Sequence, residues 1–292
     1  MPNGWRYRAL RALGHAPHFK GKDLLLRAIA HPDRQVSRPF EVPFFGHVYP
    51  GDMANFMDWT VFAYGAHAED ELFLFRDVVE VLAKQRGAVT FFDIGANVGN
   101  HTLFMADKVA AVHAFEPYPP VAAKIRQKIA RNGLENVTVH PIALSDRDGL
   151  AMFREPEGAN QGTGTLAGGG GRLETPVRQG DAYLAEQGLP RIDLIKIDVE
   201  GHEAAVVRGL AERLGRDRPV ILAEISGVDF SGFGDEAGLR ESLYSDHRIF
   251  SLAAGKGGYG LAPFVLGAAS EILIVPAEAS ALLARLSAFA VR

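Results

Sequence analysis

Residues 91–104 read FFDIGANVGNHTLF, and the position of every later element follows from them. Phe91, Phe92 and Ile94 form a short apolar run without alternation, as in a strand buried on both faces of a parallel sheet. Asp93 interrupts that run, and a carboxylate buried there requires a polar partner. Gly95 and Gly99 bracket a tight turn through Ala96, Asn97 and Val98, and Asn97 tolerates a left-handed backbone. Asn100 or His101 then opens a helix.

Strand, glycine turn and helix in this order form a ligand site of nucleotide type. The spacing is Asp-x-Gly-x-x-x-Gly rather than the Gly-x-Gly-x-x-Gly of dinucleotide sites, which argues against a pyrophosphate. An acid facing a helix N-terminus suits a ligand that carries both an ammonium and a carboxylate, such as the amino-acid end of S-adenosylmethionine.

The chain has 292 residues, 47% hydrophobic and 23% charged, enough for one substantial core with an appendage. It has no cysteine, so disulfides and thiolate metal sites are excluded. No apolar run approaches the ~20 residues of a membrane span, and no signal peptide is evident, so a cytoplasmic location is expected. Residues 1–40 carry eight Lys/Arg against Asp23 and Asp33, a net +6, which leaves −10 for the remainder of a chain of net charge −4. The basic segment suits a membrane surface, an anionic substrate or, as the plainest reading, docking on the acidic body. Nothing in the pattern supports nucleic-acid binding. Self-association is left open.

From Trp5 to Ala30 the pattern is one or two short helices, with Leu24, Leu25, Ala28 and Ile29 as their apolar face and His31-Pro32 as the stop. His15 and His18 are separated by Pro17, which spoils a helical metal pair. Residues 39–65 are rich in Pro, Gly and aromatics, either a cap over the substrate or an extension that fills a groove. Residues 1–68 are therefore set apart from a domain of residues 69–292, which opens with a helix over Glu69 to Lys84. Strands follow at Val109 to Phe115, Val137 to Ala143, Ile192 to Ile197 and Val220 to Ile225, with Ile249 to Leu252 and Glu271 to Val275 as a closing pair. Helices are expected over Tyr118 to Asn132 and near Glu203 to Leu214. Repeated βα units of this kind build a mostly parallel sheet with its ligand at the carboxyl ends of the strands. Residues 151–176, with Gly158, Gly162, Gly164 and the run Gly168 to Gly171, read as an insertion rather than a lid.

The strand ends carry the remaining candidates. Glu116, before the helix-starting Pro117, suits both hydroxyls of a ribose. Asp146, beside Ser145, suits an adenine amino group. Lys196, Asp198, Glu200, His202 and Glu203 crowd the end of the Ile192 strand, and Glu224 ends the next.

The blocks FFDIGANVGNHTLF, AFEPYP, ALSDRDG, IDLIKIDVEGHE and ILAEI, in this order over about residues 60 to 275, resemble the FkbM family of S-adenosylmethionine-dependent methyltransferases. The resemblance implies a class I methyltransferase (Rossmann-like) α/β fold, with a seven-stranded, mostly parallel sheet and an antiparallel last strand. Here that fold would follow the N-terminal helical and aromatic extension. It also implies methylation of a hydroxyl, with a sugar, glycan or small metabolite as acceptor. Asp93, Gly95, Asn97 and Gly99, with Ala96 and Asn100 in the same block, would hold the methionine end. Glu116 would hold the ribose and Ser145 and Asp146 would lie by the adenine, with Pro117 and Asp198 as further cofactor-binding residues. Where family members commonly show Leu-Asp-Asp, this chain has Gly180-Asp181-Ala182.

Candidates for the base that takes the acceptor proton are His202, Glu200, Asp198 and Glu224. Mg²⁺ on Asp198 and Glu224 is a less favoured variant. A nicotinamide oxidoreductase would show three-glycine spacing and a Tyr-x-x-x-Lys pair, and neither is present. A non-catalytic module with the same fold would be expected to have lost Asp93 and Glu116, which this chain retains.

Overall fold

The computed structural model describes residues 4–17, 19–156, 164–166, 170–226, 230–255, 258–267 and 270–286. His18, Gly158, Gly162, Gly168, Gly169 and residues 256–257 lie outside these.

The N-terminal part contains α1 (Trp5–Gly14), α2 (Lys22–Ile29), the hairpin β1 (Pro39–Phe44) and β2 (His47–Asp52), α3 (Phe56–Tyr64) and α4 (Glu69–Arg86). The central stretch gives β3 (Thr90–Ile94), α5 (Asn100–Met105), β4 (Ala111–Phe115), α6 (Pro119–Asn132) and β5 (Val137–His140). A small sheet of β6 (Ala143–Ser145), β7 (Gly149–Phe153) and β8 (Leu173–Gln179) leads through α7 (Gly180–Glu186) to β9 (Leu194–Ile197). Then come α8 (Glu203–Gly209), α9 (Ala211–Asp217), β10 (Val220–Glu224), α10 (Glu236–Glu241), β11 (His247–Gly255), β12 (Gly258–Pro263), β13 (Glu271–Pro276) and α11 (Ser280–Leu286). No helix among the described residues is long and apolar enough to cross a membrane.

The main sheet runs β12-β11-β13-β10-β9-β3-β4-β5. Strands β5, β4, β3, β9 and β10 are parallel, and β13 lies antiparallel between β10 and β11. It therefore has eight strands rather than the seven expected. The additional one is β12, which folds back on β11, and its Tyr259 and Leu261 are buried with Leu252 instead of leaving an open apolar edge. The strand expected over 137–143 is interrupted at Pro141, which has no N–H to donate, and Ala143 onward pairs with β8 instead. The single helix expected over 203–214 is two helices. Asp181 accepts from the backbone N–H of Glu212 and Arg213, at 2.9 Å each, and so caps a new helix start.

Each central strand sends alternate residues to opposite faces. Phe92, Ile94, Ile195, Ile197, Ile221 and Ala223 share one core with α7 to α9. Phe91, Leu194, Leu222 and Leu273 share the other with α4 and the N-terminal segment. Asp93, Lys196, Glu224 and Glu271 have the parity of this second set, so polar groups stand on the α4 side at the strand ends. The N-terminal segment is fastened there by buried polar contacts. Asn132 of α6 pairs with both the N–H and the C=O of Val48, at 2.8 Å each, as a neighbouring strand would. Asp58 accepts from Tyr49 Oη at 2.8 Å and faces Lys128 Nζ at 3.6 Å.

Candidate active site

The parallel register brings the ends of β3, β4 and β9 level, with Ile94 opposite both Phe115 and Ile197. Immediately beyond them opens a cleft of about 670 Å³. Of the residues expected in a site, Gly95, Asn97, Glu116, Pro117, Asp198, Glu200 and His202 line it. Its apolar wall includes Leu144, from the ALSDRDG block, and Ile142, Phe153 and Leu166, which carried no sequence signal. Gly164, Thr165 and Leu166 belong to the glycine-rich segment read as an insertion. The described part of that segment instead forms a wall of the cleft, with Thr165 Oγ1 donating to the Glu200 carbonyl at 2.6 Å.

Gly95 has φ +80, and a Cβ there would lie 1.8 Å from the Asp198 carbonyl oxygen. The turn thus lets β3 and β9 approach as only glycine allows. The N–H groups of Gly95 and Ala96 both donate to Phe115 O, that of Asn97 to Glu116, that of Val98 to Asn97 Oδ1 and that of Gly99 to Ala96 O. The turn's own N–H groups, expected to hold a ligand carboxylate, are thus used to brace the turn.

Glu116 accepts from Asn97 N at 3.0 Å and from Tyr118 N at 2.8 Å, one bond on each oxygen, so each retains accepting capacity toward the cleft. Burial pushes this carboxyl up to about 7, against those two bonds, and the charges of Asp93 and Asp198 add to the rise.

Asp93 is only 1% exposed and does not line the cleft. Its Oδ2 accepts from Thr102 Oγ1 at 2.6 Å, while Oδ1 is buried without a hydrogen-bond partner. Asn100 is also buried, its amide donating to the His67 carbonyl at 2.9 Å. Asp146 is turned away from the cleft and held by Arg208 at 3.2 and 3.0 Å, so the side chain expected at an adenine is occupied in an ion pair. Ser145 instead meets His202, Oγ to Nε2 at 3.0 Å. Burial holds His202 below the ordinary histidine range, so it is neutral near pH 7. Glu200 sits at φ +53 at the cleft mouth, and desolvation with the charges of Asp198 and Glu203 pushes its carboxyl up to about 7.

A second, smaller pocket of about 200 Å³ lies on the α4 side, lined by Glu71, Lys196, Asp198, Glu224 and Glu271 among others. Asp198 lines both cavities. Lys196 Nζ donates to Asp198 Oδ2 at 2.7 Å. Burial works to raise the Asp198 carboxyl, but Lys196 outweighs it and holds the group below the usual carboxylate range. Glu224, hydrogen-bonded to Asp198, is driven well above that range by burial and by the Asp198 charge. The two carboxyls are thus divided, Asp198 ionised and Glu224 protonated. Beside them His101 Nε2 stands 3.1 Å from Glu71 Oε2, and burial lowers the adjacent His67 to about 4. Among the described residues, no group of three or more His, Asp or Glu is arranged to hold a metal ion.

Comparison with known proteins places this geometry. The methyltransferase FkbM domain matches residues 93–255, which include all the residues that line the larger cleft. The chain belongs to the FkbM methyltransferase family. Similar proteins include the hexuronic acid methyltransferase AglP of Haloferax volcanii, 29% identical over 157 residues, 53% of this chain and 64% of that protein. The 2-O-methyltransferase NoeI of Sinorhizobium fredii is 28% identical over 162 residues, 49% of this chain and 65% of that one. The 31-O-demethyl-FK506 methyltransferase FkbM of Streptomyces tacrolimicus is 27% identical over 201 residues, 56% and 77% of the two chains. The chain thus spans just under two thirds of the length of the first two. A solved methyltransferase FkbM from Methylobacillus flagellatus KT superposes with a TM-score of 0.45 at 12% identity, over 92% of this chain and 57% of that one.

Family membership implies S-adenosylmethionine, and the cleft fits it. Gly95 lines the cleft without a side chain, Glu116 offers two accepting oxygens, and an apolar wall stands beside them.

Proposed function

We propose that this chain is an S-adenosylmethionine-dependent O-methyltransferase acting on a hydroxyl of a sugar, glycan or small metabolite. The observation that carries the reading is that one ionised carboxylate, Asp198, lines both the large cleft and the smaller acid-lined pocket. The cofactor would occupy the first and the acceptor would enter through the second. The methyltransferase unit is taken as residues 69–292, with residues 1–68 as an extension anchored to it through the shared core. A cytoplasmic location is part of the reading.

Glu116 would hold the ribose hydroxyls, and Ile142, Leu144, Phe153 and Leu166 would enclose the adenine. The unpaired Oδ1 of Asp93, close behind the turn, would answer the ammonium of the methionine end, directly or through water. When bound, the cofactor supplies an electrophilic methyl group on a neutral leaving group.

The chain's own residues then have two tasks. One is alignment of the acceptor oxygen, which can supply up to ~7–11 kcal/mol of the barrier. The other is removal of its proton, typically about 10²- to 10⁴-fold in rate. Asp198 suits the second task because Lys196 keeps it ionised. Glu224, whose one acid proton is given to Asp198, can still accept from an acceptor hydroxyl, as can Glu71 and Glu271. His202 and Glu200 stand on the cofactor side, so both are assigned there rather than to the acceptor. The names of AglP and NoeI, a hexuronic acid methyltransferase and a 2-O-methyltransferase, support a hydroxylated acceptor.

The test is transfer of a labelled methyl group to a panel of sugars and hydroxylated metabolites, by the wild type and by Asp198→Asn. The reading expects product with at least one acceptor and a loss of about 10²-fold or more in the variant. Product in which nitrogen or carbon carries the label would overturn the O-methylation claim.

A further inference from the structure

The apolar face expected on the second helix, Leu24, Leu25, Ala28 and Ile29, does not pack inward as a unit. Lys22 Nζ donates to the carbonyls of Gly14 and Ala16 at 2.6 Å each, at the end of α1, and Arg6 Nη2 donates to the Ile29 carbonyl at 2.6 Å. These contacts fix the roll of α2 so that Lys22 and Leu26, one turn apart, form its inner face. Leu24 and Leu25 are left 74% and 48% exposed.

They are not isolated. Nine large apolar side chains are exposed among the described residues, and five of them, Trp5, Phe19, Leu24, Leu25 and Val36, lie in the first 36. Exposed apolar residues gathered in one short segment suit an interaction surface better than residues scattered singly along the chain. Exposed cations are interspersed among these residues, Arg8 on α1, Lys20 between the helices, Arg27 on α2, and Arg34 beyond it. The segment's +6 contrasts with −10 for the rest of the chain, so a partner for this face must accept both apolar and cationic groups.

We propose that this face docks on an anionic phospholipid surface. Leu24, Leu25 and Trp5 enter the boundary between headgroups and acyl chains, and the arginines and lysine lie over the phosphates. A second copy of the chain is disfavoured as the occupant because two such faces carry like charge. The acidic body of the same chain does not cover these residues, since they remain exposed with the segment already packed on α3.

The experiment is co-sedimentation of the full chain with vesicles of phosphatidylcholine alone and of phosphatidylcholine mixed with phosphatidylglycerol. Binding is expected to the mixed vesicles, weakening with added salt, with a blue shift of tryptophan emission that Trp5→Phe abolishes. The double variants Leu24→Ser/Leu25→Ser and Arg8→Glu/Arg27→Glu should each reduce partition at least about tenfold while circular dichroism is unchanged. Absence of partition by the folded wild type overturns the proposal. So does a concentration-dependent dimer in sedimentation equilibrium that Leu24→Ser abolishes, which would assign the face to a second copy.

Discussion

Lys196 Nζ lies 2.7 Å from Oδ2 of Asp198, the residue just past the end of β9, and this contact sets the protonation of the strand-end acids. The Lys196 ammonium keeps Asp198 ionised, and the Asp198 charge in turn keeps a proton on Glu224. Replacing Lys196 by Met removes the first link. The Asp198 pKa then rises, so the acid limb of kcat/KM for methyl transfer should move to higher pH, and kcat at neutral pH should fall by about 10²-fold. An unshifted limb in a pH–rate profile of Lys196→Met would show that Asp198 does not titrate in the reaction.

Glu224→Gln should leave a different trace. Its folded pKa is raised to about 8 from an ordinary 4.5. The folded state therefore holds a proton that the unfolded chain has lost, and stability falls as pH rises from about 4.5 through 8. Glutamine mimics the protonated acid, so the variant's advantage in Tm over the wild type should be small at pH 5 and grow toward pH 8. Thermal melts across that range measure it, and a difference that does not grow with pH would mean that Glu224 is ionised in the native protein.

Much of this arrangement is legible in the sequence because it is local. FFDIGANVGNHTLF places the strand, the turn and the start of α5, and the close approach at Gly95 confirms why glycine stands there. Density of charge around Lys196 marks the end of β9 equally well. Contacts made across the fold leave no such mark. Glu71 has the appearance of an ordinary first-turn acid favoured by the helix dipole, yet α4 brings it to a pocket shared with Glu224 and Glu271. Asp146 has the sequence position of a ligand residue, but Arg208, 62 positions away, takes its carboxylate. The roll of α2 is likewise decided by Lys22 and Arg6 rather than by the helix's own apolar stripe.

His202 and Asp198 should separate kinetically. His202 contacts Ser145 on the cofactor side, so His202→Ala is expected to raise KM for S-adenosylmethionine several-fold with kcat nearly unchanged. Asp198→Asn should lower kcat by about 10²- to 10⁴-fold. Steady-state kinetics with each substrate varied in turn distinguish them, and the reverse pattern would restore His202 as the base.

Gly95→Ala tests the turn itself. The new Cβ would meet the Asp198 carbonyl at 1.8 Å, at a φ of +80 that alanine disfavours. A loss of about 2–3 kcal/mol in urea denaturation is expected, along with loss of cofactor binding. Wild-type stability would show that β3 and β9 are not packed this closely.

The claim that the large cleft holds the cofactor is tested most directly by calorimetric titration with S-adenosylhomocysteine, on the wild type and on Glu116→Ala. The account predicts one-to-one binding in the micromolar range by the wild type, and its loss in a variant that circular dichroism shows to be folded. A folded wild type that gives no heat of binding, or a Glu116→Ala variant that binds as tightly as the wild type, would contradict it.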